Sequence, residues 1–329
     1  MPIISASNLT KKFNSFTAVD SVSLQVEKGE IFGLLGPNGA GKTTFISMLV
    51  TMKRPTSGSA SVNSFVVSSN PMGVRKSIGI VFQDQALDEE LTAYENLDLH
   101  AAMYGVPRDK REKRITGVLE MVELHSRMND LVKTFSGGMR RRLEIARGLI
   151  HYPKVLFLDE PTLGLDPQTR KHIWEYINKL RREHNVTVFL TTHYMEEADA
   201  LCDRIAIIDH GKIIAMDTPS GLKDSLGGDT LLLYCSSPGK LCSALEGQEC
   251  VIDSKPHNGK LTLRLEKGEK KIPMILQAAR DAGVEVSSVS LHKPTLDDVF
   301  LHYTGRTIRE ENISSAESFR MHARARRRM

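Results

Sequence analysis

The chain has 329 residues, 40% hydrophobic and 26% charged, which is enough to bury a substantial core and long enough for one large domain and a small one. No run of ~18 apolar residues occurs and the start, MPIISASNLTKKF, lacks a charged-then-apolar leader, so neither a membrane span nor a signal peptide is expected and the cytoplasm is the expected location. The net charge of +4 lies wholly in the tail, where seven arginines face three glutamates between Arg306 and Met329; residues 1–305 carry no basic excess, which argues against a nucleic-acid-binding body.

Along the chain, the polar-alternating stretches IISASNLT and VSLQVEKG fit an antiparallel flank with one wet face. EIFGLLG (30–36) is the first of several apolar runs without alternation, the pattern of strands buried on both faces of a parallel sheet. It leads directly into GPNGAGKTT (36–44) and a helical stretch over 42–52, the strand–loop–helix context of a phosphate-cradling loop. Gly36, Gly39 and Gly41 let the backbone curl so that the N–H groups of Pro37–Thr44, proline excepted, converge on phosphate oxygens, with Asn38, Ala40 and Thr44 inside the same loop. Lys42 is placed to reach the β and γ phosphates, and the Thr43 hydroxyl to meet Mg²⁺. Gln83 ends the apolar stretch Ile78–Phe82 and is placed to reach the metal or an attacking water; taken alone it reads equally as a surface glutamine.

From Leu91 to His151 the chain is charged and helix-compatible with no convincing strand, a helical insertion between core strands. Inside it, FSGGMRRRLEIARG (135–148) opens a helix at Ser136, Gly137 and Gly138, with Met139, Leu143, Ala146 and Ile150 on one face and the arginines expected on the other. A bare helix start is an anion site, because its first N–H groups lack partners within the helix. The strand KVLFLDE (154–160) then ends on Asp159, a water-mediated Mg²⁺ ligand, and Glu160, placed to orient or deprotonate a water. Asp166 caps a helix over 167–184 that buries Ile173, Ile177 and Leu180. VTVFLTTH (186–193) ends on His193, within reach of a γ phosphate, and RIAIIDHG (204–211) is a further buried strand.

After Gly227 and Gly228 a separate module begins, with the order strand (230–235), helix (239–246), strand (249–254), strand (260–265), helix (271–282) and strand (284–291), the split βαβ arrangement of a ferredoxin-like fold. The expected fold is α/β, a P-loop NTPase core with a mixed sheet, antiparallel β flank and helical insertion, plus a small α+β C-terminal domain. The expected boundaries are 1–225 for the nucleotide domain, with its insertion at 91–151, then 229–305 for the accessory domain, and a basic tail at 306–329 that is expected to be disordered. Four cysteines without C-x-x-C spacing predict no metal or disulfide framework.

The ordered set GPNGAGKTT, VFQD, FSGGM, VLFLDEP, GLD and TTH resembles the ATP-binding cassette (ABC) ATPases, the nucleotide-binding subunits of ABC transporters, over residues 3 to about 220. PTLDDVFLHYTGR (294–306) is similar to the C-terminal motif of the daunorubicin-resistance subfamily of exporters. The resemblance implies that ATP and Mg²⁺ are bound and that Phe13 stacks on adenine. It also implies that Ser136, Gly137 and Gly138 complete the site of a second copy in a head-to-tail dimer, with Asp166 along that interface. The partner it implies is a separately encoded permease at the inner face of the membrane, touched by Gln83–Tyr104, and the function is export of a drug, lipid or other hydrophobic compound, with no nucleic acid. Met139 and Phe135 stand where the family commonly has glutamine and leucine, and Leu163 where serine is frequent. Two other readings remain: a soluble ABC-type ATPase acting on ribosomes or nucleic acid, and a regulatory nucleotide-binding module without turnover. The first would call for two cassettes or a coiled-coil insert, and the second is opposed by Glu160 and His193.

Overall fold

The computed structural model describes residues 1–83, 86–245, 248, 251–257, 259–266 and 268–304. It divides into two compact units, one formed by Met1–Met216 and one beginning at Asp217. The expected basic tail and Cys250 lie outside the described residues.

The first unit opens with the hairpin β1 (Ile4–Phe13) and β2 (Phe16–Val26), whose inward residues Ile4, Leu9, Val19, Val22 and Leu24 are buried. Next come β3 (Ile31–Leu35), α1 (Lys42–Leu49), β4 (Ser57–Val62), β5 (Phe65–Val66), α2 (Pro71–Ser77) and β6 (Ile78–Val81). β2, β1, β4 and β5 form, in that order, an antiparallel sheet with one face on the core.

The helical segment contains α3 (Ala93–Met103), α4 (Arg108–Met121) and α5 (Gly137–Leu149), and no strand among the described residues. Thr92 starts α3 with a reciprocal box, its hydroxyl accepting from Glu95 N while the Glu95 carboxylate accepts from Thr92 N. The chain returns through β7 (Val155–Asp159), α6 (Pro167–His184), β8 (Thr187–Thr192), α7 (Met195–Leu201), β9 (Arg204–Asp209) and β10 (Lys212–Asp217).

The second sheet has the order β10-β9-β3-β8-β7-β6, and its pairs from β9 to β6 are parallel. Every residue of β3, β7 and β8 is buried, which is why these strands read as unbroken apolar runs. α1 packs against β2, β4 and β7, so the two sheets and this helix share one core. Phe189 is its centre, with ring centroids of Phe32, Phe157 and Phe45 at 5.5, 5.6 and 6.1 Å. Such a sheet leaves its ligand crevice at the carboxyl ends of the strands, and β3, β8 and β7 end there side by side.

One expectation inside α5 is corrected. The arginines do not all face away from the core: Arg141 is 6% exposed and Glu144 fully buried, whereas Met139 is only half-buried. A second stripe, Arg141, Glu144, Ile145, Gly148 and Leu149, runs beside the first at helical spacing and is buried throughout.

The second unit contains α8 (Pro219–Asp224), β11 (Asp229–Cys235), α9 (Pro238–Leu245), β12 (Val251–His257), β13 (Lys260–Leu265), α10 (Gly268–Asp281), β14 (Val286–His292) and α11 (Leu296–Thr304). Its antiparallel sheet has the order β12-β13-β11-β14, with a core of Leu231, Leu233, Leu241, Leu261, Leu263 and Ile275. The division falls at Asp217, ahead of the Gly227–Gly228 break, because α8 packs on α11 and so belongs to the second unit.

Candidate functional site

The turn from β3 into α1 is built by close backbone approach. A Cβ on Gly36 would lie 2.3 Å from Ile208 O, and one on Gly41, whose φ is 108°, would lie 2.4 Å from Ala18 O. No side chain caps α1, so its first N–H groups face the loop mouth. Pro37 and Ala40 are buried, Asn38, Gly39 and Thr43 are exposed, and Thr44 is half-buried.

Lys42 bends back over the loop, donating to Gly36 O at 2.7 Å and Pro37 O at 3.1 Å. Its Nζ also lies 3.1 Å from Glu160 Oε1, with side-chain exposures of 5% and 7%. The other Glu160 oxygen, Oε2, lies 2.7 Å from His193 Nδ1. One carboxylate thus bridges the phosphate-loop lysine and the histidine at the end of the neighbouring strand. Burial pushes the Glu160 carboxyl up, but the His193 hydrogen bond and the Lys42 cation outweigh it and hold the group below the ordinary carboxylate range. Burial lowers the Lys42 ammonium, and Glu160 and Asp159 oppose that in part. An ionised carboxylate only accepts, so the proton of the shared bond sits on Nδ1, and Nε2 is the second polar atom His193 can offer a ligand.

Asp159 ends β7, and Thr43 Oγ1, in the first turn of α1, donates to Asp159 Oδ1 at 3.4 Å. Thr191 Oγ1 donates to the same oxygen, and the Asp159 carboxylate is buried. A hydroxyl and a carboxylate converging at the loop mouth are hard oxygen donors, the set that suits Mg²⁺ held jointly with phosphate. Gln83, just after β6, is exposed. Phe13 is 41% exposed at the end of β1, with Lys11 Nζ and Lys53 Nζ 5.1 and 5.4 Å from its ring centroid.

Ser136 caps α5, its hydroxyl oxygen accepting from Met139 N at 3.3 Å. Ser136 and Gly137 are exposed, and Gly138 lies so close to α6 that a Cβ there would be 2.4 Å from Thr169 Cγ2. Asp166 caps α6 by accepting from Gln168 N and Thr169 N at 3.1 and 3.0 Å, and the bond from the Thr169 hydroxyl holds its carboxyl below the usual range.

Two buried ionisable groups behind the site escape a reading of motifs. Arg141 donates to the carbonyls of Phe82, Asp159, Glu160 and Pro161, and Glu197 accepts from Thr162 Oγ1 and Trp174 Nε1 at 2.8 and 3.1 Å. The signal for both was phase: each sits on a stripe with small or aliphatic residues, Ile145 and Gly148 for Arg141, Leu201 for Glu197.

The family model for "ABC transporter" matches residues 19–163, and that for "ATP-binding protein DrrA1-3-like, C-terminal domain" matches 218–304. The linearmycin resistance ATP-binding protein LnrL of Bacillus subtilis is 40% identical over 312 residues, 94% of this chain and 100% of that protein. The doxorubicin resistance ATP-binding protein DrrA of Mycobacterium tuberculosis is 41% identical over 300 residues, 87% of this chain and 88% of its own. A dimeric structure of the ATP-binding cassette MJ0796, in a post-hydrolysis state with ADP and Pi, is 29% identical and superposes with a TM-score of 0.58 over 65% of this chain and 98% of that one.

Proposed function

This chain belongs to the ATP-binding subunits of ABC transporters, and from that premise we propose that it hydrolyses ATP at Glu160 to drive export through a separate membrane subunit. The observation that carries the reading is the bridge Lys42–Glu160–His193 at the adjoining ends of α1, β7 and β8.

In this reading the loop N–H groups from Gly36 to Thr44 and the Lys42 ammonium hold the β and γ phosphates. Glu160, kept ionised by its two partners, accepts a proton from the attacking water, a role worth roughly 10²- to 10⁴-fold in rate. His193 fixes the carboxylate through Nδ1 and presents Nε2 toward the γ phosphate. Thr43, Asp159 and Gln83 would hold Mg²⁺, which when bound neutralises phosphate charge. Phe13 stacks on the adenine, and the two lysines over its ring make that exposed edge attractive to a triphosphate.

The signature Ser136-Gly137-Gly138 is assigned to the site of a second copy, with Asp166 along the interface. The exposure of Ser136 and Gly137 and the dimeric state of the MJ0796 cassette support that arrangement. No helix among the described residues is long and apolar enough to cross a membrane, so the transport path is assigned to a permease and this subunit to its cytoplasmic face. The names of the relatives support a drug or other hydrophobic compound as cargo. The alternative of a ribosome- or nucleic-acid-directed ATPase does not fit relatives that match from end to end, C-terminal unit included, and are resistance proteins.

Glu160→Gln tests the assignment. Turnover should fall by about 10²-fold or more, while ATP still drives dimerisation in size-exclusion chromatography; unchanged turnover removes Glu160 from this role.

A further inference from the structure

Glu160 stands on unusual backbone. Its φ is 51°, in the left-handed region that a residue with a long side chain adopts only when its surroundings hold it there. On the amide side Glu160 N donates to Thr191 O and Oγ1 at 3.1 and 3.2 Å. On the carbonyl side three successive oxygens, those of Asp159, Glu160 and Pro161, turn toward one group, the guanidinium of Arg141.

The donor count of Arg141 is complete. Nε donates to Pro161 O at 2.7 Å, Nη2 to Asp159 O and Glu160 O at 3.1 Å each, and Nη1 to Phe82 O at 2.6 Å and Glu144 Oε2 at 2.9 Å. An arginine has five N–H donors in a rigid planar fork, and each has its own acceptor here. Glu144 closes the network, since its Oε1 accepts from Ala86 N at 2.8 Å. Replacing both partners of a buried pair by packed apolar groups is often neutral, so burial of this pair is weak evidence that it serves stability.

We propose that Arg141 is a positioning residue for ATP hydrolysis, holding the left-handed turn at Glu160 that aims its carboxylate between Lys42 and His193, and tying the same turn to Phe82, next to Gln83. The inference rests on Glu160 acting on the attacking water. Arg141 touches no phosphate-loop residue, so its loss leaves nucleotide binding in place and reduces the chemical step. Lysine offers three donors from a single point and cannot serve acceptors spread around a plane.

The full-length chain with Arg141→Lys, and separately Arg141→Gln, tests this by steady-state ATPase kinetics, with rates expressed per site able to bind mant-ATP so that misfolded protein does not count. Ile145→Val, on the same buried stripe, controls for loosened packing. The expected result is a kcat lower by about 10²-fold, the scale of a misplaced catalytic group, with KM and mant-ATP affinity changed by no more than about threefold and Ile145→Val near wild type. A kcat per competent site within about threefold of the wild type, or a loss no larger than that of Ile145→Val, overturns the role of Arg141. A wild-type chain that binds mant-ATP without turnover overturns the hydrolysis reading itself.

Discussion

Glu197 is the clearest case of a carboxyl whose surroundings work against its charge. It is fully buried in α7, and burial raises its carboxyl above the ordinary 4.5 against bonds from Thr192, Thr162 and Trp174. Thr162 lies two residues beyond Glu160 and Thr192 one before His193, so this one carboxyl joins the segments that present both site residues. A carboxyl whose folded pKa is raised contributes its stability in full below the unfolded value and loses it as pH rises through the folded one. Glu197→Gln should therefore gain on the wild type in thermal unfolding as pH is taken from 4.5 to 8, because the amide keeps an acceptor and has no proton to lose. Glu197→Ala leaves the Thr162 hydroxyl and Trp174 indole without their acceptor and should cost about 1–3 kcal/mol. A Gln variant that loses stability toward pH 8 would show that the buried form is the anion.

At the level of elements, what was legible depended on how many demands a segment meets at once. β3, β7 and β8 serve only the buried sheet, so their apolar runs stood out, and the residues just past them, Gly36, Glu160 and His193, could be set on one edge from the sequence. α5 meets three demands: it caps at Ser136, packs one aliphatic stripe, and carries Arg141 and Glu144 inward on a second. Three consecutive arginines, 140 to 142, read as one wet face; only phase with Ile145 and Gly148 marks the middle one, and the carbonyls that bury it, at the end of β7 and after β6, lie far off in sequence.

The contact of α5 with β6 makes a prediction of its own. A Cβ on Gly79 would lie 2.1 Å from Gly148 O, backbone against backbone, so Gly79→Ala must separate strand from helix and should cost at least about 2 kcal/mol. Gly117, inside α4, has nothing within 4 Å of such a Cβ, and Gly117→Ala should stabilise by up to about 1 kcal/mol. Chemical denaturation of the pair checks both signs, and equal effects would mean that the β6–α5 approach is not the tight one.

For the whole molecule, the two helix starts, α1 after Gly36–Gly41 and α5 at Ser136, pose a question of assembly. Each has bare N–H groups, but only α1 has a lysine, a carboxylate and a histidine gathered beside it; α5 has Met139 where an amide is common in the family, and no acidic residue in its first turn. A start that would bind phosphate without acting on it suits closing a site built elsewhere, and the proposed head-to-tail pair of chains would provide that site twice. The arrangement has a numerical consequence. Lys42→Ala removes the loop cation and Ser136→Arg blocks the closing helix, so either variant alone forms dimers with no intact site. In a mixed dimer both lesions fall on one site, and the other combines an unaltered loop with an unaltered signature. Random mixing at equal amounts makes half the dimers mixed, so turnover should return to about a quarter of the wild-type rate if the sites act independently. A site closed within one chain predicts no recovery at any ratio, and a dimer needing both sites at once predicts the same, so the second case is separated by measuring dimer formation in the mixture. Recovery that rises and falls with the mixing ratio, peaking at equal amounts, is the outcome expected of halves that meet only between chains.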